Sequence, residues 1–182
     1  MTAIYLVRHG EADYDQVRER RWPGSMADLA PLTPRGYQQA AAAAAQLAGV
    51  RAVKLVSSPF TRAMHTASVI GRHVGLPVEV ELDLHEWLPD GTFSWREHAE
   101  VRALFADFES SGGEWPDGER RPWEPLSSVR RRSSGALGRT AGSVGDSGSL
   151  IAVCHEMVIR SVTGETVTNP GEFRCIDSSQ LA

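Results

Sequence analysis

Lysine is nearly absent from this chain: 18 arginines stand against a single lysine, Lys54, in 182 residues. Codon bias is the preferred account of most of that preference. The formal net charge of −4 argues against a general nucleic-acid surface. Cysteine is scarce as well. Cys154 and Cys175 lie in apolar segments without metal-ligand spacing, and both read as buried free thiols of a reducing compartment. His65, His73, His85 and His98 show no ligand spacing either, so no metal site is expected. The N-terminus lacks a basic n-region, and its apolar run is too short for a signal peptide. No stretch is long and apolar enough to span a membrane. These absences point to a cytoplasmic protein with no membrane and no nucleic-acid partner. Neither repeats nor a linker composition interrupt the chain, so residues 1–182 are expected to form one domain. What is present, 41% hydrophobic and 23% charged residues, suits a globular fold with a sizeable core.

Apolar runs alternate with helical patterns. Ile4–Val7 reads as the first strand, Val53–Val56 as the second, Pro77–Leu82 as a shorter third, Leu150–Val153 as the fourth and Phe173–Ile176 as the last. Thr33-Pro34 has the chemistry of an N-cap and first helical residue, and Tyr37, Ala40, Ala41, Ala44, Leu47 and Ala48 follow at helical spacing up to a stop at Gly49. A second helix is expected from the Ser57-Ser58-Pro59 turn to about His73, ended by Gly75, and a short one before Gly164. The expected fold is therefore α/β: a three-layer sandwich whose mostly parallel central sheet is flanked by helices. The region of about 87–132 breaks this rhythm. Ser94-Trp95-Arg96-Glu97 is a capping-box pattern opening a helix to Phe108, and a Gly/Pro-rich loop, Ser111–Pro125, follows. This insertion suits a lid or pocket wall.

Three expected strand ends carry chemistry. The first runs into Arg8-His9-Gly10-Glu11, the second into Ser57-Ser58-Pro59-Phe60-Thr61-Arg62, and the fourth into Cys154-His155-Glu156. In a parallel sheet these ends share one edge, where open α/β sheets bind ligands. Two arginines and two histidines converging there fit a phosphoryl group. The guanidinium forks and helix N–H groups take its oxygens, and one imidazole can attack phosphorus in line. Gly10 lets the backbone bend or approach a ligand closely. Glu11 takes a structural hydrogen bond at the turn by default. After the third strand, Glu86 is the chosen carboxyl to protonate a leaving oxygen and later activate water, with Asp83 and His85 its rivals by position. For Arg18, Arg20 and Arg21, a solvated charged face outweighs contact with a second phosphate or carboxylate on the substrate, and Arg130-Arg131-Arg132 reads as a helix surface. For Trp87, Trp95, Trp115 and Trp123, core packing weighs at least as much as an aromatic substrate wall.

Arg8-His9-Gly10, the Ser-Pro-x-x-Arg of Ser58–Arg62, the Leu-x-Glu of Leu84–Glu86 and the strand-end His155 together resemble the histidine phosphatase superfamily, the phosphoglycerate-mutase-like group. Leu32-Thr33, Gly36 and Gln39-Ala40 match its first helix, and the resemblance runs from Ile4 to about Gly164. It implies a covalent phosphohistidine at His9. Arg8, Arg62 and His155 would join His9 in binding the phosphoryl group, Glu86 would act as acid/base, and neither metal nor organic cofactor is implied. The expected activity is phosphomonoester hydrolysis of a phosphorylated small molecule, a phosphoprotein being a further option. A phosphoglycerate-type mutase and a non-catalytic phosphate-binding regulator are the alternatives. Two departures concern the substrate. Glu156 stands where many members have glycine, and Arg120 follows the Pro116–Glu119 turn where a small hydroxyl residue is common. A carboxylate at Glu156 either repels a highly anionic substrate or faces the helix exterior. Specificity is expected to reside in Ala12–Pro31 and Trp87–Arg132, and the short tail after Gly164 argues against a mutase-type lid from that end.

Overall fold

Ile4-Tyr5-Leu6-Val7 is apolar on both of its faces, as a strand must be when helices cover it from both sides. In the computed structural model, which describes residues 1–95, 98–165 and 169–181, this strand is β1 (Ala3–Arg8). A short helix α1 (Asp15–Glu19) and a 3-10 turn (Gly24–Leu29) lead to α2 (Pro34–Leu47). Then come β2 (Ala52–Ser57), α3 (Thr61–Val74), β3 (Val78–Val80) and a second 3-10 turn (Leu82–Leu84). Helices α4 (His98–Ser110) and α5 (Leu126–Val144) precede β4 (Ser149–Cys154), α6 (Glu156–Thr163) and β5 (Phe173–Asp177). The sheet order is β3-β2-β4-β1-β5. Its first four members pair in parallel, and β5 pairs antiparallel with β1 at the edge. This is the expected α/β fold with a mostly parallel sheet between helices. Among the described residues no helix is long and apolar enough to cross a membrane.

The period-2 alternation of the strands builds two cores. Ile4, Leu6, Leu150, Ala152 and Cys154 face α5 and α6, against Val129, Ala136, Leu137, Val158 and Ile159. Val7, Leu55, Ile151 and Val153 face the opposite way, against Ala43, Ala44 and Leu47 of α2 and Ala63, Ala67 and Ile70 of α3. Removing a fully buried leucine such as Leu137 from such packing costs about 2–5 kcal/mol. Thr33 caps α2 as expected, its hydroxyl accepting from the Gly36 N–H at 2.9 Å, with Pro34 in the first turn. Gly75 (φ 73°) and Gly164 (φ 78°) end α3 and α6 in the left-handed conformation.

Several expectations change. The third strand is only three residues long, because the Glu81 carboxylate accepts the Asp83 N–H at 3.2 Å and turns the chain into the Leu82–Leu84 turn. Helix α2 ends at Leu47, two residues before Gly49. Its buried stripe runs through Gly36, Ala40, Ala43, Ala44 and Leu47, leaving Tyr37 exposed and stacked on His65. Cys154 is a buried free thiol, but Cys175 is exposed, on the edge strand β5 whose one buried residue is Ile176. Arg96 and Glu97 of the expected capping box lie outside the described residues. Trp115 and Trp123 belong to the core: the Trp123 indole N–H donates to Asp107 Oδ2 at 2.7 Å, and that of Trp115 to the Trp123 carbonyl at 2.8 Å. Arg120 stacks over Trp115, 6.0 Å from the ring centroid.

Candidate active site

Strand register brings the three carboxyl ends level. Arg8 pairs with Cys154 and Ser57 with Val153, and the pairing continues past the strands. The His9 N–H donates to the Cys154 carbonyl at 3.1 Å, and the Ser58 N–H to the Val153 carbonyl at 2.9 Å. His9, Ser58 and His155 therefore leave the sheet side by side. The His9 and His155 rings meet edge to face, with centroids 5.0 Å apart.

Both imidazoles are buried. His9 Nδ1 lies 2.7 Å from the Gly10 carbonyl, an oxygen that only accepts, so Nδ1 carries the proton and Nε2 the lone pair. That lone pair accepts from Arg62 Nε–H at 3.2 Å. Burial, followed by the charge of Arg62, holds the His9 imidazole well below the usual 6.5; the Gly10 bond opposes this, and Arg8 adds a smaller lowering. His155 is held low in the same way, by burial first and then by Arg62 and His9. Its Nε2 lies 2.7 Å from Ser58 Oγ, while Nδ1 has no hydrogen-bond partner among the described residues.

Arg62 is delivered by the first turn of α3 and is almost fully buried. Its Nη1 donates to Asp28 Oδ1 at 3.2 Å, and its guanidinium lies 5.0 Å from the Phe60 ring centroid. Burial raises Asp28 above the ordinary aspartate range, and Arg62 pulls the other way. Arg8 pairs with Glu156 at 2.7 Å. The Glu156 carboxylate, 33% exposed, is directed at the strand-end arginine.

Glu86 approaches from the turn after β3. Its Oε1 accepts the Trp87 N–H at 2.8 Å and the Met157 N–H at 3.3 Å, which ties it to the first turn of α6. Burial raises its carboxyl above the usual range, although Trp87, Arg62 and Arg8 pull it down. The rivals point elsewhere. Asp83 binds Arg139 at 3.0 Å on an exposed flank, and His85 Nδ1 donates to the Glu86 carbonyl at 2.7 Å. Glu86 alone of the three also lines a cavity of about 360 Å³. Tyr14, Arg18, Asp28, Trp87, Trp95 and Arg102 are among the residues that line it with Glu86. Apart from Glu86, every lining residue comes from the two segments expected to set specificity. Arg18 bears on both of its readings: it is exposed and paired with Asp15, and it also lines the cavity.

Gly10 carries geometry at a backbone contact. A Cβ there would lie 2.3 Å from the Gly36 carbonyl oxygen, and one on Gly36 would lie 2.2 Å from the Glu11 carbonyl oxygen. The strand-end turn and the start of α2 touch backbone to backbone. Glu11 staples the contact: its N–H donates to Gln39 Oε1 at 2.8 Å, and its carboxylate accepts from Thr33 Oγ1 at 2.8 Å. Thr66 Oγ1 accepts the Gly10 N–H at 3.0 Å and donates to the Arg62 carbonyl at 2.8 Å, linking the His9 turn to α3.

Three contributors, Thr66, Asp28 and Arg132, escaped sequence reasoning, and Ser58 entered it only inside the Ser-Pro-x-x-Arg motif. Ser58 and Thr66 are small hydroxyl residues whose partners lie far along the chain. Asp28 sits in a polar stretch without periodicity. Arg132, read as helix surface, is largely buried and donates to the Asp83, His85 and Glu86 carbonyls. Here a signal existed: position 132 lies three residues after Val129 and four before Ala136, on the buried stripe of α5. Among the described residues no three His, Cys, Asp or Glu side chains gather as a metal-ligating group.

Comparison with known proteins agrees with the fold. The rat mitochondrial serine/threonine-protein phosphatase PGAM5 is 28% identical over 120 residues, 58% of this chain and 39% of that protein, so the chain spans well under half of that relative. The Bacillus subtilis phosphatase PhoE is 28% identical over 165 residues, covering 91% of this chain and 77% of PhoE. A vanadate complex of the mycobacterial glucosyl-3-phosphoglycerate phosphatase superposes with a TM-score of 0.75 at 21% identity, covering 97% of this chain and 91% of the other. The model of the histidine phosphatase superfamily, branch 1, matches residues 4–179. The chain belongs to that superfamily.

Proposed function

We propose that the protein is a phosphomonoester hydrolase acting through a phosphohistidine on His9, independent of metal and organic cofactors. One observation carries this reading. The Nδ1 bond to the Gly10 carbonyl leaves a neutral imidazole whose Nε2 lone pair faces the buried Arg62. A nucleophile needs that protonation state, and a phosphoryl group needs that neighbour.

In the first step Nε2 forms a bond to phosphorus while the bond from phosphorus to the substrate alcohol breaks. Arg8, Arg62 and His155 hold the phosphoryl oxygens, and protonated Glu86 gives its proton to the departing oxygen. The raised proton affinity of Glu86 favours that role. In the second step a water oxygen attacks phosphorus, Glu86 takes the water proton, and the N–P bond returns its electrons to His9. The products are an alcohol and inorganic phosphate. The alcohol portion of a small phosphorylated substrate occupies the cavity beside Glu86, so residues 87–132 act as the pocket wall of one catalytic domain.

Phosphate release measured over sugar phosphates, nucleotides, phosphoglycerates and phosphopeptides tests the reading. Hydrolysis of a small phosphomonoester, abolished in His9→Ala, supports it. Isomerised phosphoglycerate without free phosphate would establish a mutase instead. Binding without release across the panel would establish a regulator.

A further inference from the structure

The turn that presents Glu86 has little secondary structure to hold it. Leu82–Leu84 is a single 3-10 turn, and residues 85–89 continue as irregular chain. Arg132, projecting from α5, supplies the missing support. Its Nη1 donates to the Asp83 and His85 carbonyls at 2.7 Å each, and its Nη2 to the Glu86 carbonyl at 3.2 Å. The other edge of the guanidinium is clamped by Glu124, with Nε to Oε1 at 2.7 Å and Nη2 to Oε2 at 2.9 Å. These five bonds account for all five N–H donors of an arginine. The two side chains are only 13% and 15% exposed, so this is an enclosed brace and not a surface ion pair. Glu124 is fixed in turn: its carbonyl accepts the Trp87 indole N–H at 2.7 Å, and its N–H donates to the Leu88 carbonyl at 2.9 Å.

We propose that Arg132 is the positioning residue for Glu86, the three carbonyls it binds holding the Glu86 turn where its carboxyl meets the leaving oxygen. Arg132 touches no substrate in this account; every one of its donors is spent on the turn and on Glu124. An ammonium cannot replace the planar fork, because one point charge does not reach three carbonyls and a carboxylate at once. When the fork is lost, the turn relaxes and the Glu86 carboxyl drifts from the site it shares with the Trp87 and Met157 N–H groups. General-acid help then falls, and its loss is felt in proportion to the basicity of the leaving alcohol.

This role rests on Glu86 being the acid/base, so the test includes Glu86→Gln. The readout is kcat/KM, which reports phosphoryl transfer to His9, across a series from nitrophenyl to simple alkyl phosphates. Glu86→Gln should lose about 10²–10⁴-fold on alkyl phosphates and much less on nitrophenyl phosphate. Arg132→Lys should follow the same pattern with a loss of roughly 10–100-fold on alkyl phosphates, the scale of a misplaced catalytic group. Added to Glu86→Gln, it should cost less than about threefold more, as expected of residues acting through one group. Glu124→Gln, which keeps the arginine but weakens its clamp, reports the same trend should Arg132→Lys fail to fold. A flat Glu86→Gln series overturns the acid/base assignment and this role with it. A steep Glu86→Gln series beside equal losses on all substrates for Arg132→Lys and Glu124→Gln, or full additivity in the double variant, overturns the positioning role alone.

Discussion

Glu156 is a resident anion in a site proposed to bind an anion, and replacing it with glutamine should tighten phosphate binding. Its Oε2 lies 2.7 Å from Arg8 Nη2, with the two side chains 20% and 33% exposed. It also occupies the first position of α6, where the helix N-terminus favours negative charge. A phosphoryl group reaching Arg8 must share the guanidinium with this carboxylate. Two anions on neighbouring edges of one guanidinium sit about 6 Å apart, and at an effective dielectric of about 20 they repel by about 3 kcal/mol. Salt screening and rearrangement reduce that to about 1–2 kcal/mol, or roughly 5–30-fold in affinity. Glutamine keeps the shape and an acceptor for Arg8 but removes the charge. Losing the partly exposed ion pair itself should cost less than about 1 kcal/mol of stability. The assay is competitive inhibition by inorganic phosphate in the wild type and Glu156→Gln, at low and high ionic strength. Phosphate should bind about 5–30-fold tighter to the variant at low salt, with the advantage shrinking as salt rises. Unchanged or weaker phosphate binding would refute the reasoning and show that Glu156 orients Arg8 productively.

The buried histidines predict a stability profile. His9 and His155 have folded-state proton affinities well below the usual 6.5, so on acidification the unfolded chain takes up protons that the folded chain refuses. Each should cost up to about 1.4 kcal/mol per pH unit below 6.5, until its own folded-state value is reached. Glu86, raised in the fold, opposes this in part. Denaturant midpoints should therefore fall between pH 6.5 and 5 in the wild type and fall less steeply in His155→Asn. The Gly10–Gly36 contact predicts that Gly10→Ala destabilises by at least about 1–3 kcal/mol, since its Cβ meets immobile backbone. Gly49→Ala, with nothing within 4 Å, should be near neutral in the same urea titration. Thr33→Ala removes both the α2 cap and the bond to Glu11 and should cost about 1–2 kcal/mol by the same measure.

Local rules carried far along this chain, and they stopped where partners come from distant segments. The run of Ile4–Val7 into Arg8-His9-Gly10 announces a strand ending in chemistry, because a strand apolar on both faces needs a covered parallel sheet. The level register of Arg8 with Cys154 and of Ser57 with Val153 follows from parallel pairing, but no local pattern specifies it. By position Glu86 is one of three polar residues on a turn, and the Leu-x-Glu motif of Leu84–Glu86 singles it out; the Trp87 and Met157 N–H groups that hold it come from tertiary packing. Asp28 carries no periodicity signal, and only its contact with Arg62 gives it a place. Arg132 departs from expectation because a run of three arginines reads as solvated, although its spacing from Val129 and Ala136 puts it on the inward stripe. Cys175 departs from expectation because its strand lies at the sheet edge, where Ile176 alone of the five residues is buried.

The proposed mechanism stands or falls on a bond between phosphorus and His9 Nε2. Rapid acid-free quenching of the protein during turnover of a labelled phosphomonoester, followed by peptide mapping, tests it directly. The account predicts one acid-labile, base-stable phosphoryl group on His9, absent from His9→Ala and accumulating in Glu86→Gln with a nitrophenyl substrate. Hydrolysis that proceeds with no label on His9, or that persists in His9→Ala, would contradict it.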